Sequence, residues 1–190
     1  MNILIVDGNE KISSQSYTEI GMQTQYELYK NVLKKIVGKE FNIEIIHPAC
    51  TDSYMSQGLN IDDFQGIVWT GSSLNIYDLG PPIERQIELA KILIQKKNKI
   101  FGSCWGLQVL STAAGGKVRK NPKGLEAVIA EDIFLNKKGI KHPMYANKPN
   151  NFHSFCWHYD ELEELPQDAV ILSSNNKSII QSISFIKNDS

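Results

Sequence analysis

A cysteine between two glycines is the part of this sequence whose spacing best fits chemistry. The pentapeptide Gly102-Ser103-Cys104-Trp105-Gly106 lies between the short apolar run Ile100-Phe101 and a segment of helical period that begins at Leu107. A strand that turns sharply into a helix through Gly-x-Cys-x-Gly leaves no room for side chains beside the central residue, so its backbone is strained and its sulfur points outward. The start of a helix also favours thiolate over thiol. The pattern predicts that Cys104 is a nucleophile.

Acyl transfer at a cysteine needs hydrogen-bond donors for the oxyanion and a base that moves the proton. The backbone amide of Trp105 is the predicted first donor, because this residue follows the nucleophile. Gly71, within Thr70-Gly71-Ser72-Ser73 after an apolar strand, is the predicted second donor. The other two cysteines, Cys50 and Cys156, are predicted to be small buried apolar residues.

Apolar runs that alternate with helical patterns predict the elements that position these residues. Strands are predicted over residues 2–6, 41–46, 66–69 and 99–101. The first predicted helix covers residues 26–37, with Gly38 as the stop, and the last runs from Leu107 to Gly115-Gly116. Between them, a helix is predicted to begin at Pro81-Pro82, with one face formed by Ile83, Ile87, Ala90 and Ile94. Residues 11–25 are either a loop or the entrance of a helix. This alternation indicates an α/β fold with an open, mostly parallel central sheet flanked by helices. The residues after three of the strands, Asp7, Gly71 and Cys104, should then collect at one edge of that sheet.

The pattern changes after Gly116. Strands are predicted over residues 127–135, 170–172 and 179–186, as an antiparallel extension near the C-terminus, and residues 136–151 are predicted to be a solvated loop. Residues 183–190 look like one arm of a hairpin whose return strand is absent, which predicts a C-terminally truncated or naturally shortened chain. No repeat or linker is visible, so residues 1–190 are predicted to form a single domain.

Composition limits the classes of function. Apolar residues make up 42% and charged residues 22% of the chain, as in ordinary globular proteins. No apolar run is long enough to cross a bilayer and the N-terminus lacks the features of a signal peptide, which predicts a cytoplasmic protein without membrane contact. The three cysteines have no regular spacing and fit a reducing compartment. A net charge of −1 and the presence of only two arginines argue against a nucleic-acid partner.

Three segments carry a resemblance to a known family. The run Phe101-Gly-Ser-Cys-Trp-Gly-Leu-Gln-Val-Leu110 resembles the nucleophile motif of class I (triad-type) glutamine amidotransferases, especially the free-standing members similar to the amidotransferase domain of GMP synthase. Residues 70–78 resemble the oxyanion loop of that family, with Ser72-Ser73 in place of the commoner Gly-Pro or Ser-Pro. Trp157-His158-Tyr159-Asp160-Glu161-Leu162 resembles the later segment that lines the glutamine pocket. The family has a flavodoxin-like three-layer sandwich, so the resemblance implies that fold.

The resemblance implies hydrolysis of the glutamine side-chain amide, with Cys104 as the attacking group and a glutamyl thioester as the intermediate. It also implies which residues contact glutamine: Ser72, Gly106, Gln108, His158 and Tyr159, with much of the contact coming from backbone. No cofactor is implied. Because the chain has no P-loop, any ATP-dependent step must be carried by a synthetase or acceptor-substrate enzyme on another chain.

The proton-transfer partner is where the sequence departs from the family. The family base is a histidine in a His-Pro-Glu segment, and no such segment occurs among His47, His142, His153 and His158. The resemblance assigns His158 to the pocket rather than to the base. Two alternatives therefore stay open: a cysteine hydrolase of γ-glutamyl compounds, and a catalytically weak or inactive amidotransferase-like module. No metal site is predicted, because Cys156 with His158 is too small a cluster.

Overall fold

Four short apolar strands pair in parallel in the N-terminal part of the protein. The computed structural model describes residues 1–37, 41–55, 57–96 and 98–185, and its contacts divide the chain into one unit over Met1–Ala113 and another over Ala114–Ser190. The elements of the first unit are β1 (Asn2–Val6), α1 (Lys11–Glu19), α2 (Gln25–Val37), β2 (Asn42–Ile46), β3 (Gly66–Trp69), α3 (Pro81–Gln95), β4 (Ile100–Gly102) and α4 (Trp105–Ala113). The prediction of a single domain over residues 1–190 stays a prediction.

The parallel sheet has the strand order β2-β1-β3-β4, which confirms the predicted α/β class. Leu4, Ile5 and Val6 in β1 are 0% exposed, as expected for a central strand of a parallel sheet that is covered on both faces. The chain leaves β1 toward β2 on one side and later enters β3 on the other. This change of direction opens a crevice at the carboxyl ends of β1 and β3, the usual place for a ligand in such sheets.

Helix α3 begins at Pro81-Pro82 as predicted, but its buried face differs from the prediction. Prolines suit the first turn because their missing N–H groups would have no partner there. The structure buries Ile83, Gln86, Leu89, Ala90 and Leu93 instead of the series through Ile87 and Ile94. A polar residue takes a place in the buried face because its amide is fully hydrogen-bonded there, as described below.

The second unit is mainly antiparallel, which confirms the predicted extension. Its elements are β5 (Lys117–Lys120), β6 (Glu126–Leu135), α5 (Lys137–Lys141), β7 (Asn151–His158), β8 (Asp160–Glu164), β9 (Ala169–Ser174) and β10 (Ser182–Phe185). One sheet has the order β10-β9-β6-β7, and β5 pairs separately with β8.

The second unit differs from the sequence prediction in the strands β5, β7 and β8 and at the start of the predicted loop over residues 136–151. The paired strands β5 and β8 were not predicted, because one is basic and the other acidic. Arg119 contacts Glu161 at 3.0 Å and Glu163 at 3.1 Å across the pair. The prediction of a loop over residues 136–151 is wrong at its start, where the Asn136 side chain accepts hydrogen bonds from two backbone amides and caps α5.

The remaining expectations from the sequence concern residues 11–25, Gly38, the C-terminal residues and membrane contact. The uncertain segment 11–25 contains helix α1, which buries none of its residues. Gly38 and residues 186–190 lie outside the described residues, so the predicted helix stop and the last part of the predicted hairpin arm are not described. Within the described ranges, none of the helices combines the length and the apolar character needed to cross a membrane.

Candidate active site

Cys104 lies at the turn between β4 and α4 in a backbone conformation that L-amino acids rarely adopt. Its φ is 53°, in the left-handed region, and its side chain is exposed. Such a conformation costs a non-glycine residue on the order of 1–3 kcal/mol and persists only where the surrounding structure enforces it. The turn over residues 102–106, called the elbow below, therefore holds an exposed sulfur at the first turn of a helix.

The two glycines of the elbow are required by close backbone contacts. A Cβ on Gly102 would lie 2.7 Å from the carbonyl carbon of Gly106, and a Cβ on Gly106 would lie 2.9 Å from the carbonyl oxygen of Trp69 in β3. Both distances are shorter than ordinary contacts, and the opposing atoms are backbone. Side chains at these positions would push α4 away from β3 and β4, so the glycines permit the sharp turn.

The oxyanion loop predicted at Gly71 is fixed to the elbow through its backbone. Gly106 N–H donates to the carbonyl oxygen of Thr70 at 3.2 Å, and Ser103 N–H donates to that of Trp69 at 3.1 Å. Because the peptide between Thr70 and Gly71 is trans, the N–H of Gly71 points away from the carbonyl that Gly106 holds. Trp105 is the first residue of α4, and the helix supplies no i−4 carbonyl for its N–H.

A buried polar network supports the same loop from β1. Gly8 N–H donates to Thr70 Oγ1 at 2.9 Å, and Thr70 Oγ1 donates to the Gly71 carbonyl at 2.8 Å. Asn9 donates to that carbonyl at 3.4 Å and to Asp7 Oδ1 at 3.4 Å, and it accepts from Ser73 N–H at 3.2 Å. The strand-end residue Asp7, which is 1% exposed, thereby helps to hold the loop beside the elbow.

Gln86 connects three segments of the site, and the sequence analysis missed it. Its Oε1 accepts from Trp105 Nε1 at 2.8 Å and from Trp69 Nε1 at 3.2 Å. Its Nε2 donates to the carbonyl oxygens of Gly8 at 3.2 Å and Pro82 at 3.0 Å. The side chain is 0% exposed and all four of its hydrogen-bonding positions are used. Gln86 thus fixes the indole of the residue that follows Cys104.

Helix α2 contributes two further residues that the sequence did not reveal. The Gln25 amide lies against Gly71, where a Cβ would come within 2.8 Å of Gln25 Oε1. Tyr29, one turn later on the same face, is hydrogen-bonded to Ser103. Burial raises the pKa of the Tyr29 phenol, and the charge of a Cys104 thiolate raises that pKa further, so the hydroxyl stays protonated at neutral pH. The apolar pattern of α2 predicts the helix but not this contact.

Ser72 and Gln108 are two further residues of the first unit that are predicted to contact glutamine. Ser72 Oγ accepts from the backbone N–H of Leu74 at 3.1 Å, which shapes the loop after Gly71. Gln108 lies one turn after Cys104 and is 7% exposed. Its Oε1 is buried without a hydrogen-bond partner among the described residues. A buried acceptor without a partner costs about 1–3 kcal/mol, and a donor on a bound substrate would remove that cost.

The two remaining predicted site residues belong to the second unit. The His158 side chain is 16% exposed, and its Nε2 lies 2.9 Å from Glu126 Oε2. Tyr159 is 49% exposed, and its carbonyl oxygen accepts from Asn121 N–H at 2.8 Å. Their assignment to the glutamine pocket stays a prediction.

The prediction for the other cysteines is corrected. Cys50 is exposed and Cys156 is half-buried, so neither is a fully buried apolar residue. The residue is exposed, but its sulfur is partly shielded from water, which raises the pKa of the Cys50 thiol, and the charge of Asp7 raises that pKa further. At neutral pH Cys50 is therefore a weaker nucleophile than an ordinary exposed thiol.

Known proteins resemble this chain in sequence. The model of the family "Glutamine amidotransferase class-I" matches residues 23–189. A gamma-glutamyl-L-1-hydroxyisopropylamide hydrolase from Pseudomonas sp is 32% identical over 186 residues, which are 96% of this chain and 62% of the relative. A glutamine-hydrolyzing GMP synthase subunit from Methanococcus vannielii is 28% identical over 111 residues, which are 58% of this chain and 52% of the relative. The chain thus spans between half and two thirds of the length of these relatives.

A solved structure supports the fold. The crystal structure of a glutamine amidotransferase from Thermotoga maritima superposes with a TM-score of 0.74 at 15% identity, covering 97% of this chain and 71% of the other. At this identity the likeness concerns the fold alone. Because the family model covers most of the sequence and the fold agrees, the chain belongs to the class I glutamine amidotransferase family.

Proposed function

We propose that the protein hydrolyses the side-chain amide of glutamine through a thioester on Cys104 and releases ammonia. The observation that carries the proposal is the exposed Cys104 sulfur on left-handed backbone at the start of α4. A strained turn of this kind is costly unless it serves to present the side chain. The family to which the chain belongs supports the same chemistry.

The proposed reaction has two halves. Cys104 Sγ attacks the γ-carbonyl carbon, and the backbone N–H groups of Trp105 and Gly71 hold the oxyanion. The carbon–nitrogen bond then breaks, the nitrogen takes up a proton and ammonia leaves. Water attacks the thioester carbonyl in the second half, the carbon–sulfur bond breaks, and glutamate is released as the thiol is restored. No electron transfer and no cofactor are needed.

The position of Gln108 fits a hydrogen bond from an amide or ammonium group of the substrate. Its buried Oε1 accepts no hydrogen bond from a described residue, and it follows Cys104 by one helical turn. The family resemblance also assigns glutamine contacts to Ser72 and Gly106, and to the backbone at His158 and Tyr159. These assignments follow the family resemblance residue by residue.

The proposed reaction also needs a base that moves the proton, and no residue of this sequence is assigned to that role. The sequence lacks a His-Pro-Glu segment, and His47 already contacts the buried Asp7 at 3.1 Å. Positioned proton transfer contributes on the order of a hundredfold or more to such reactions. Formation and hydrolysis of the thioester both need such a transfer.

A second candidate function is the hydrolysis of substituted γ-glutamyl amides, with an amine instead of ammonia as the leaving group. It is favoured by the relative from Pseudomonas sp, whose name describes a hydrolase of such a compound. The attack at the γ-carbonyl would be identical. The two candidates differ only in the space and contacts beyond the amide nitrogen.

The setting of the reaction is also a proposal. A catalytic thiol must stay reduced, which supports a reducing compartment such as the cytoplasm. Ammonia released here would serve an acceptor enzyme or synthetase on another chain, as the name of the Methanococcus vannielii relative suggests for that protein.

The experiment is a comparison of substrates with a matched variant. Purified protein is incubated with L-glutamine and with γ-glutamyl alkylamides, and ammonia, amine and glutamate are measured. The proposal expects glutamate from glutamine, and none from the Cys104→Ala variant. A preference for the alkylamides by tenfold or more would establish the second candidate instead. Equal rates with the wild type and Cys104→Ala would exclude both.

A further inference from the structure

A second group of reactive side chains lies on the sheet of the second unit. Glu126, Cys156 and His158 place one ligand atom each within 4.8 Å of one another. This group is called the Glu126 cluster below. The three residues are distant in sequence on two strands, so neither a motif nor a spacing rule would find them. The proposed reaction at Cys104 uses none of these three side chains, and only the backbone at His158 has a part in the proposed glutamine site.

Sheet register explains why these side chains meet. Glu126 in β6 is directly opposite His158 in β7, and residues directly opposite on paired strands share one face. Cys156 precedes His158 by two positions on the same strand, which places it on that face as well. Val128 is opposite Cys156 in the register and is 63% exposed, and Cys156 is itself only half-buried. The cluster is thus open to solvent at the Cys156 end.

The hydrogen bonds of His158 determine which ring nitrogen is free. Its Nδ1 lies 3.0 Å from the backbone carbonyl oxygen of Asp160. A carbonyl only accepts, so Nδ1 must carry the proton, and in the neutral ring Nε2 presents a lone pair. That nitrogen is buried without a hydrogen-bond partner among the described residues, although Glu126 Oε2 is 2.9 Å away. Two electron-pair donors therefore face each other.

The Glu126 carboxylate is itself fixed by amides. Its Oε1 accepts from Asn175 Nδ2 at 2.6 Å and its Oε2 accepts from Gln181 Nε2 at 2.7 Å. The side chain is only 6% exposed, and these donors hold it in place. Ligands held by outer hydrogen bonds in this way, with a histidine Nδ1–H on a backbone carbonyl, are typical of metal sites.

We propose that Glu126, Cys156 and His158 bind one divalent cation of the zinc class. A nitrogen, a sulfur and an oxygen ligand suit Zn²⁺ or Co²⁺, whereas Mg²⁺ and Ca²⁺ take oxygen ligands. On binding, the Cys156 S–H bond breaks, the proton goes to solvent and the thiolate donates an electron pair to the metal. Three protein ligands leave the fourth position of a tetrahedral site to water on the open side. The cation would join β6 to β7 immediately before Tyr159.

The simpler alternative is an ion pair between protonated His158 and Glu126. It would satisfy the lone pair of Nε2 without any role for Cys156. The two accounts differ in whether the thiol matters, so Cys156 is the residue to vary. Replacement of sulfur by oxygen in Cys156→Ser preserves the size of the side chain and leaves the proposed ion pair intact.

The test measures metal binding directly and does not depend on enzymatic activity. The protein is stripped with a chelator and titrated with Co²⁺, followed by thiolate-to-cobalt absorption, and with Zn²⁺, followed by calorimetry. One equivalent per chain is expected, with a loss of affinity of at least about 100-fold in Cys156→Ser and in His158→Gln. Asn175→Ala, which removes an outer hydrogen bond, is expected to lose about tenfold.

Matched variants separate this site from the other thiols and histidines. Cys104→Ser, Cys50→Ser and His153→Gln, an exposed histidine on the same strand, are expected to bind zinc as the wild type does. Zinc is also expected to raise the melting temperature of the wild type but not of Cys156→Ser. The proposal is overturned if Cys156→Ser binds zinc like the wild type, if no binding is detected, or if binding is lost in Cys104→Ser instead.

Discussion

The elbow and the Glu126 cluster both place a cysteine in a polar setting, but they are built in different ways. At the elbow, backbone does the positioning: two glycines allow α4 to approach β3 and β4, and Cys104 adopts a φ of 53°. In the Glu126 cluster, side chains from two antiparallel strands meet because of sheet register, and ordinary strand backbone carries them. The first arrangement is local in sequence, whereas the second joins residues that are far apart along the chain.

This difference shows where each site stores its free energy. The elbow holds backbone strain that is offset by the hydrogen bonds of Gln86 and of the Thr70 loop. In the Glu126 cluster, His158 Nε2 and Glu126 Oε2 lie 2.9 Å apart, where a cation or a proton would hold them together. Substitutions at the elbow should therefore change the free energy of unfolding, whereas substitutions in the Glu126 cluster should change ligand binding.

The largest expected effects come from substitution of Cys104, which is both the proposed nucleophile and the residue with strained backbone. Both Cys104→Ala and Cys104→Gly should lower hydrolysis at least about 1,000-fold, because each removes the nucleophile. Only glycine relaxes the left-handed backbone, so Cys104→Gly should unfold in urea with a free energy about 1 kcal/mol higher than that of Cys104→Ala. Equal stability of the two variants would show that the elbow stores no strain.

The next effect concerns the support of the elbow by Gln86. Gln86→Leu removes the amide partner of two buried indole N–H groups and of the Gly8 carbonyl, and it should lower the free energy of unfolding by about 3 kcal/mol or more. Gln95→Leu, an exposed position on the same helix, is the control and should change it by less than about 0.5 kcal/mol. Similar losses of unfolding free energy in both variants would show that Gln86 does not support the elbow.

A smaller effect is expected from crowding at the glycines. Gly106→Ala places a Cβ 2.9 Å from Trp69 and should lower the free energy of unfolding by about 1–3 kcal/mol. Gly66 in β3 has open space where a Cβ would lie, so Gly66→Ala is a matched control with little expected change. Urea unfolding of both variants checks this, and a neutral Gly106→Ala would contradict the close approach.

The mildest test compares the thiols by their reactivity. Because burial and then Asp7 raise the pKa of Cys50, its thiolate fraction at neutral pH is reduced. Iodoacetamide should therefore modify Cys104 before Cys50 at pH 7, and the difference should narrow as the pH rises and Cys50 ionises. Peptide mass spectrometry gives both rates. Faster modification of Cys50 at neutral pH would contradict this ranking.

The sequence predicted the parts of the protein that depend on local pattern. The parallel strands, α3 and the elbow follow from apolar runs, prolines and paired glycines within a few residues of each other. Gln86 was missed because a buried glutamine interrupts the apolar face that periodicity detects, and its indole partners are far away in sequence. Glu126 was missed for the same reason, since only the register of β6 with β7 shows that it faces His158. The charged pair β5 and β8 lacks the apolar alternation that indicates strands.

The role of Cys104 is tested most directly by covalent capture. The protein is incubated with a diazo-ketone analogue of glutamine, whose reactive carbon takes the place of the amide nitrogen, and the adduct is mapped by mass spectrometry. We expect one adduct, on Cys104, with labelling slowed by an excess of glutamine and absent in Cys104→Ala. Labelling of Cys50 or Cys156 with none on Cys104 would contradict the proposed mechanism.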